Sequence, residues 1–195
     1  MSDEAPETGN EEGMTITSAV GLSDEHLIAL GRITVNYSFM EFMLRSCLML
    51  LGGADDKVTL ALTSGLSFDA LLSRVASVSE IRVAQGLRPA AEYEIEFDPL
   101  KNRIREAARK RNDVVHAVWE VGDTPGVITP RKIERRPKTD MLGEGKTPLT
   151  SMDLSSISEE LLAVASELAA FYGAISLSVE RSRRFGERAG PRGPA

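Results

Sequence analysis

The fold is decided by residues 23–53, which read SDEHLIALGRITVNYSFMEFMLRSCLMLLGG. Ser23 is followed by two acidic residues, as is usual at a helix N-cap and first turn. Apolar residues then recur at alternating steps of three and four, and Gly52 and Gly53 close the segment. This pattern predicts one long helix. Its apolar stripe consists of Leu30, Ile33, Tyr37, Met40, Leu44, Cys47 and Leu51.

Other apolar residues of the same helix fall outside this stripe. A helix that is apolar on more than one side is expected at the centre of a bundle or at an interface. The residues concerned are Ile28, Val35, Phe39, Phe42 and Met49.

Three further helices are predicted from apolar periodicity, with a short connecting segment from Asp56 between the first two. Their expected ranges are 67–86, 99 to 119 or 120, and 153 or 156 to 184. Between the last two, residues 119–150 contain four glycines and four prolines, which exclude a long helix.

Two stretches in that region, AVWEV and GVITPRKIE, have the β-branched content of short strands around a turn at 122–126. The predicted fold class is therefore an all-α bundle of four to five helices, with a small β-hairpin or an irregular loop before the last helix. The expected organisation is a disordered acidic tail at 1–21, a helical domain at 22–185 and a disordered end at 186–195.

The formal charge of −6 is unevenly distributed. Residues 1–21 hold five acidic side chains and no basic one, so the remaining 24 acidic residues nearly balance 23 basic ones. Basic blocks at 101–111, 131–138 and 181–192 would attract a polyanion such as RNA. The alternative is that these blocks are solvated helix faces and a solvated tail.

Uninterrupted apolar runs are short, as at 47–51, so no membrane span or secretion signal is expected. Cys47 is the only cysteine and lies on the apolar stripe, which predicts a core residue in a reducing cytoplasm. With His26 and His116 as the only histidines, no metal-ligand cluster is expected and no cofactor is implied. His26, in the first turn beside two acids, is predicted to lie at the surface.

The stretch that points to chemistry is 109–119, RKRNDVVHAVW, at the end of the third predicted helix. On a helix, Asn112 and His116 would lie about 40° apart on one face, with Arg111 about 140° round from His116 and about 7.5 Å below it. The long arginine side chain could still share a cleft with the imidazole.

Arginine and histidine together are suited to cutting RNA without a metal. The ribose 2′-hydroxyl loses a proton as it attacks phosphorus, the leaving 5′-oxygen gains one, and the phosphoryl oxygens carry growing negative charge. Histidine moves protons near neutral pH, and arginine grips two phosphate oxygens. Because one histidine cannot serve both oxygens at once, a two-fold dimer is expected to supply the second copy.

At these residues the sequence resembles the HEPN superfamily, helical domains named for higher eukaryotes and prokaryotes nucleotide-binding. Their signature is an arginine, often followed by a polar residue, with a histidine four to six residues after the arginine. Arg111, Asn112 and His116 match it. The resemblance implies a homodimeric, metal-independent endoribonuclease that cuts single-stranded RNA at a composite cleft.

The resemblance also implies a biological setting. Several HEPN domains are toxins of toxin–antitoxin or phage-defence systems, so an antitoxin or a nucleotidyltransferase is an expected partner. Some toxin members carry a tyrosine two residues after the histidine, which the nucleotidyltransferase modifies. Here Val118 stands at that position, so control by this modification is doubtful.

Two residues of the first helix are expected to support the site. Glu41 would orient Arg111 or His116, and Asn36, together with Tyr37, would line the same cleft. The alternative for Glu41 is a carboxylate at the edge of the helix that reaches solvent, and the alternative for Asn36 is a side chain that hydrogen-bonds locally. For the whole chain, the alternative function is a non-catalytic interaction module or a nucleotide- or RNA-binding module, with Arg111 and His116 merely stabilising a helix C-terminus.

Overall fold

The computed structural model of this protein describes residues 21–53, 55–86, 97–121, 124–131 and 147–188. The predicted tails lie almost wholly outside these residues, except that the last helix reaches Arg188. The described residues form five helices and three strands, which confirms the predicted all-α bundle and its small hairpin. The elements are α1 (Asp24–Gly52), α2 (Asp56–Thr63), α3 (Phe68–Ala84), α4 (Phe97–Val115), β1 (Val118–Val121), β2 (Val127–Arg131), β3 (Leu149–Thr150) and α5 (Ser151–Arg188).

Helix α1 is the central element, and it packs against each of the other four helices. It runs parallel to α3, because Tyr37 in the middle of α1 stacks on Phe68 at the start of α3, and Arg82 near the end of α3 donates to the Leu51 carbonyl near the end of α1. The predicted stripe is its buried face, apart from the half-buried Leu30. Gly53 ends the helix with a φ of 64°, a left-handed conformation that favours glycine.

The start of α1 corrects one expectation. His26 was predicted at the surface, but it is only 2% exposed. Its Nδ1 lies 2.7 Å from the Ser23 hydroxyl and 3.3 Å from the Ser23 amide nitrogen, which donates to it. The imidazole thus folds back over the helix N-terminus, in the place that a glutamate or glutamine takes in an ordinary capping box.

The connecting segment after α1 is itself a helix. Asp55 caps α2, since its carboxylate accepts a hydrogen bond of 2.8 Å from the Val58 amide. At the other end of α2, Arg45 donates to the Thr63 carbonyl at 3.0 Å. Eight residues are too few to show a clear apolar period, so this helix was not foreseen.

Helix α4 lies antiparallel to α5. Phe97 packs on Phe171 at one end, and ion pairs join Arg103 to Glu167 and Lys110 to Glu160 towards the other. The predicted end of this helix at Trp119 or Glu120 is wrong, because it stops at Val115. From Val118 onwards the backbone pairs with β2 instead of continuing the helical hydrogen bonds.

The sheet is antiparallel, in the order β1, β2, β3. Strand β3 has only two residues, and it leads directly into α5, which starts at Ser151 rather than at Asp153 or Ser156. The Asp153 carboxylate accepts hydrogen bonds of 2.7 Å from the amide and hydroxyl of Thr150. These hydrogen bonds lower the pKa of Asp153 and define the helix start.

By length and apolar composition, α5 passes the test for a membrane-spanning helix over Ser151–Arg181. The core helix of a bundle passes the same test. Here Leu154, Leu161 and Leu168 are fully buried against the rest of the protein, which is the packing of a core helix.

Cys47 provides a test of the core. It is completely buried, as predicted, and burial raises the pKa of its thiol from the ordinary 9.0 to about 12. We expect iodoacetamide at pH 8 to alkylate Cys47 slowly in the native protein and rapidly in urea. Because the folded pKa is the higher one, this thiol's contribution to stability is complete below pH 9 and is lost between pH 9 and about 12.

The matched control is Cys47→Ala, which lacks this part of the alkaline destabilisation. Equal labelling rates in native and unfolded protein would show that the α1 stripe is not sealed.

Candidate functional site

Arg111 lies in α4, four residues before the helix ends at Val115, and is the centre of the candidate site. Its Nη1 is 2.9 Å from Nε2 of His116 and donates a hydrogen bond of 2.9 Å to Oδ1 of Asn112. The three residues of the predicted motif are therefore in direct contact. Arg111 is half-buried, whereas Asn112 and His116 are exposed, so solvent reaches the group from the imidazole side.

The contact determines the form of the histidine. A guanidinium has only donors, so Nε2 of His116 is the acceptor in this hydrogen bond, which corresponds to the tautomer with the proton on Nδ1. This tautomer is assigned from the hydrogen bond and is the form of a general base. The arrangement keeps the basic lone pair of Nε2 beside a permanent positive charge.

Tyr37 of α1 supports the guanidinium. The Arg111 Cζ atom lies 4.3 Å from the centre of the Tyr37 ring, a cation–π contact. The ring in turn stacks on Phe68 at the start of α3, with 4.8 Å between ring centroids. Burial raises the pKa of the Tyr37 phenol, although the charge of Arg111 opposes this. Three helices therefore meet at Arg111.

One atom of Arg111 has no partner. Its Nε is buried and makes no hydrogen bond within the described residues. A buried, unsatisfied donor is unfavourable, and strain, a bound water or ion, or a catalytic role can each account for one. The guanidinium therefore has donor capacity left beyond Asn112 and His116.

His116 does not lie on the helix, contrary to the expectation. It occupies the turn after Val115, so the predicted angle of about 40° to Asn112 does not apply. Within the described residues, neither Arg111 nor His116 hydrogen-bonds to a carbonyl of the last turn of α4. No such hydrogen bond therefore supports the alternative that Arg111 and His116 merely stabilise the C-terminus of α4.

Glu41 does not join this group. Its carboxylate pairs with Arg45 at 2.7 Å, one turn further along α1, and Arg45 continues to the end of α2. Glu41 remains close enough to Tyr37 to raise the pKa of the phenol. Glu41 therefore does not orient Arg111 or His116 as predicted, because its carboxylate is paired with Arg45.

Asn36 also points elsewhere. Its side-chain amide donates to the Ser158 carbonyl at 3.0 Å and to the Ser158 hydroxyl at 3.2 Å. This contact fastens α1 to α5 rather than lining the cleft. Tyr37, which is expected to line the cleft together with Asn36, is the residue of α1 that contacts Arg111.

The basic block at 101–111 is largely neutralised. Four of its six basic side chains form ion pairs, namely Lys101 with Asp98, Arg103 with Glu167, Arg109 with Glu106, and Lys110 with Glu160. Within the described residues, Arg105 and Arg111 have no carboxylate partner. This favours the prediction of solvated helix faces for the block and leaves Arg111 as its chemically distinct member.

The other two basic blocks are described only in part, at residue 131 of the block at 131–138 and along the α5 backbone to Arg188 in the block at 181–192. Arg131, the described residue of the block at 131–138, pairs with Glu120 across the hairpin at 2.6 Å.

A separate feature lies on the opposite side of α1. Val35 and Tyr37 are about 160° apart around the helix axis, so the off-stripe face turns away from Arg111. Its side chains remain open to solvent, with exposed fractions of 55% for Ile28, 67% for Val35, 42% for Phe39 and 61% for Phe42. We call these four residues the outer face of α1.

The chemistry available at the site is that of a neutral imidazole and a fixed guanidinium. Over the described parts of the chain, no group of three or more histidine, cysteine or acidic side chains is arranged to hold a metal ion. Comparison with protein-family models, curated proteins and solved structures finds no match to this chain. Functional conclusions therefore depend on the geometry alone.

The contacts of Asn36 give a second prediction. Asn36→Ala would leave the buried Ser158 without its partner and should lower the free energy of unfolding by about 1–3 kcal/mol. Urea denaturation measures this loss. The control is Ser38→Ala, an exposed residue whose hydroxyl, among the described residues, donates to the Thr34 carbonyl of its own helix. Equal stability of both variants would contradict the proposed tie between α1 and α5.

Proposed function

We propose that this protein is a HEPN-like, metal-independent endoribonuclease that acts on single-stranded RNA as a homodimer. The observation that carries the proposal is the contact of 2.9 Å between Nη1 of Arg111 and Nε2 of His116, on the exposed end of α4. The contact supports the proposal because an imidazole and a guanidinium this close together could act on one phosphodiester as general base and phosphate-binding cation.

In this proposal, Nε2 of His116 takes the proton of the ribose 2′-hydroxyl as that oxygen attacks phosphorus. The partner copy of the same histidine, in its protonated form, gives a proton to the leaving 5′-oxygen. The products are a 2′,3′-cyclic phosphate and a free 5′-hydroxyl. Arg111 stabilises the negative charge on the phosphoryl oxygens between these two events, and Asn112 orients the guanidinium.

Arg111 must change partners during such a reaction. In the free protein its Nη1 bonds to the lone pair of His116 that the reaction needs. A bound phosphate would draw the guanidinium towards its oxygens and so release Nε2. The unpartnered Nε supports this step, because the resting position of Arg111 leaves a buried donor unsatisfied.

The composite site constrains how two copies can meet. Contact through the outer face of α1 would hold the two histidines apart, since that face is turned away from Tyr37 and Arg111. The productive contact must instead involve the rim of the site, where Asn112, His116 and Val118 are exposed. A cytoplasmic setting and an antitoxin or nucleotidyltransferase partner remain part of the proposal.

The third prediction concerns cleavage. In the presence of a chelator, the wild type should cut a single-stranded RNA and leave a 2′,3′-cyclic phosphate. Removing the base in His116→Ala should lower the rate about a hundredfold or more, and Arg111→Ala should lower it about as much. Product ends and rates can be measured on labelled RNA.

Two controls sharpen this test. Arg105→Ala removes the other basic side chain of α4 that lacks a described carboxylate partner, and it should leave the rate within about twofold if bulk charge is unimportant. An RNA with a 2′-deoxy residue at the cleaved position should resist. Equal rates for the wild type, His116→Ala and Arg111→Ala would remove the catalytic assignment.

The fourth prediction concerns the pairing of histidines. If both imidazoles of a dimer are needed, mixing wild type with an equal amount of His116→Ala should leave about a quarter of the undiluted activity after exchange of subunits. If each protomer acts alone, about half remains. Native mass spectrometry verifies that mixed dimers have formed.

A second function is favoured by the outer face of α1. An exposed row of Ile28, Val35, Phe39 and Phe42 is typical of a protein interaction surface. It makes a binding module the alternative to the nuclease. Val35→Glu separates the two, because it would abolish partner binding at this face and leave the Arg111 site intact.

A further inference from the structure

A groove near the C-terminal end of α1, on the side of the helix away from the outer face, has no role in the proposed nuclease. It lies between α2 and α3, at the C-terminal end of α1, and encloses about 400 Å³. Ligand sites in proteins usually have volumes of this order. The lining residues are Leu48, Gly52, Thr59, Leu62, Ser73, Arg74, Ser77 and Val78.

The walls of the groove are apolar. Leu48 of α1, Leu62 of α2 and Val78 of α3 contribute side chains from three helices, and Leu62 stays 60% exposed. The remaining lining residues are mostly small, so the groove is open rather than filled. An aliphatic chain laid along these walls would remove apolar surface from water.

The end of this groove at Arg74 carries a positive charge. Its Nη1 donates to the Leu62 carbonyl at the long distance of 3.4 Å. Within the described residues Arg74 has no carboxylate partner. Ser73 and Ser77 also line the groove. A guanidinium is suited to an anionic head group.

Another lining residue of the groove is a glycine. Gly52 lines the groove, and a Cβ atom built on it meets no atom within 4 Å. A side chain at this position would therefore enter free space without a clash. The groove thus combines an unfilled apolar channel with a cation at its rim.

We propose that this groove binds a linear aliphatic carboxylate, with its chain along Leu48, Leu62 and Val78 and its carboxylate on Arg74. The site is independent of Arg111 and His116. It would give the protein a small-molecule ligand in addition to any RNA substrate.

The fifth prediction tests this site by calorimetry with octanoate, using octylammonium as a probe of equal chain and opposite charge. Octanoate should bind and octylammonium should not. Arg74→Gln should weaken octanoate binding about tenfold or more, through loss of a charge-assisted hydrogen bond. Gly52→Leu and Ser77→Phe, which fill the channel from two sides, should each abolish binding.

The control is Gly31→Ala, a second α1 glycine with no atom within 4 Å of its Cβ position and outside the groove. It should bind octanoate as the wild type does, and circular dichroism should show all variants folded. Octanoate binding that survives both filling variants would overturn the proposal, and so would equal binding of octylammonium.

Two other occupants would also overturn it. Sedimentation with phosphatidylglycerol vesicles but no octanoate binding would identify a membrane surface. Self-association that disappears in Gly52→Leu, again without octanoate binding, would identify a second copy of the chain.

Discussion

The contact on which the candidate site depends is the guanidinium of Arg111 over the ring of Tyr37. It joins the end of α4 to the middle of α1, and the stacking of Tyr37 on Phe68 extends the connection to the start of α3. Without this platform, a long arginine side chain beside an exposed turn would sample many rotamers. With it, one nitrogen is held between Asn112 and His116, and the motif becomes a defined arrangement in space.

The platform is possible because α1 is buried along one face and contacts every other helix. Ile33, Met40, Leu44 and Leu51 are sealed in the core, so the backbone that carries Tyr37 cannot shift easily. Tyr37 lies at the edge of this buried face, with its ring against apolar neighbours and one side open to α4. The site is thus built on rigid helices, whereas its histidine lies in a turn.

Much of this architecture could be read from the sequence, and the failures have identifiable causes. Spacings of three and four gave the long helices correctly, because burial along one face is a strong and repeated signal. The end of α4 was misplaced because Val118 and Trp119 suit either a helix or a strand, and pairing with β2 decides between them. The burial of His26 was not predicted because it depends on the contact of the imidazole with Ser23. This contact is that of a capping box, but the usual residue at this position is glutamate or glutamine, so the sequence does not show it.

The candidate site shows the same division between local and non-local information. The spacing of Arg111, Asn112 and His116 was visible, yet the helical geometry assumed for it does not apply, and the contact forms through a turn. Neighbours on other helices were harder: Asn36 and Tyr37 are adjacent in sequence, but one turns to α5 and the other to α4. In the structure, Glu41 forms an ion pair with Arg45, which lies one turn away on the same helix at a spacing that favours ion pairs.

Charge pairing within the bundle bears directly on how the protein could recognise RNA. Most of the basic side chains of α4 are committed to acidic neighbours, so α4 does not present a continuous positive surface. Affinity for a polyanion through many phosphate contacts would require such a surface and would depend steeply on salt. In the proposed nuclease, Arg111 would therefore bind a single phosphodiester, and selectivity would come from the shape of the cleft between two protomers.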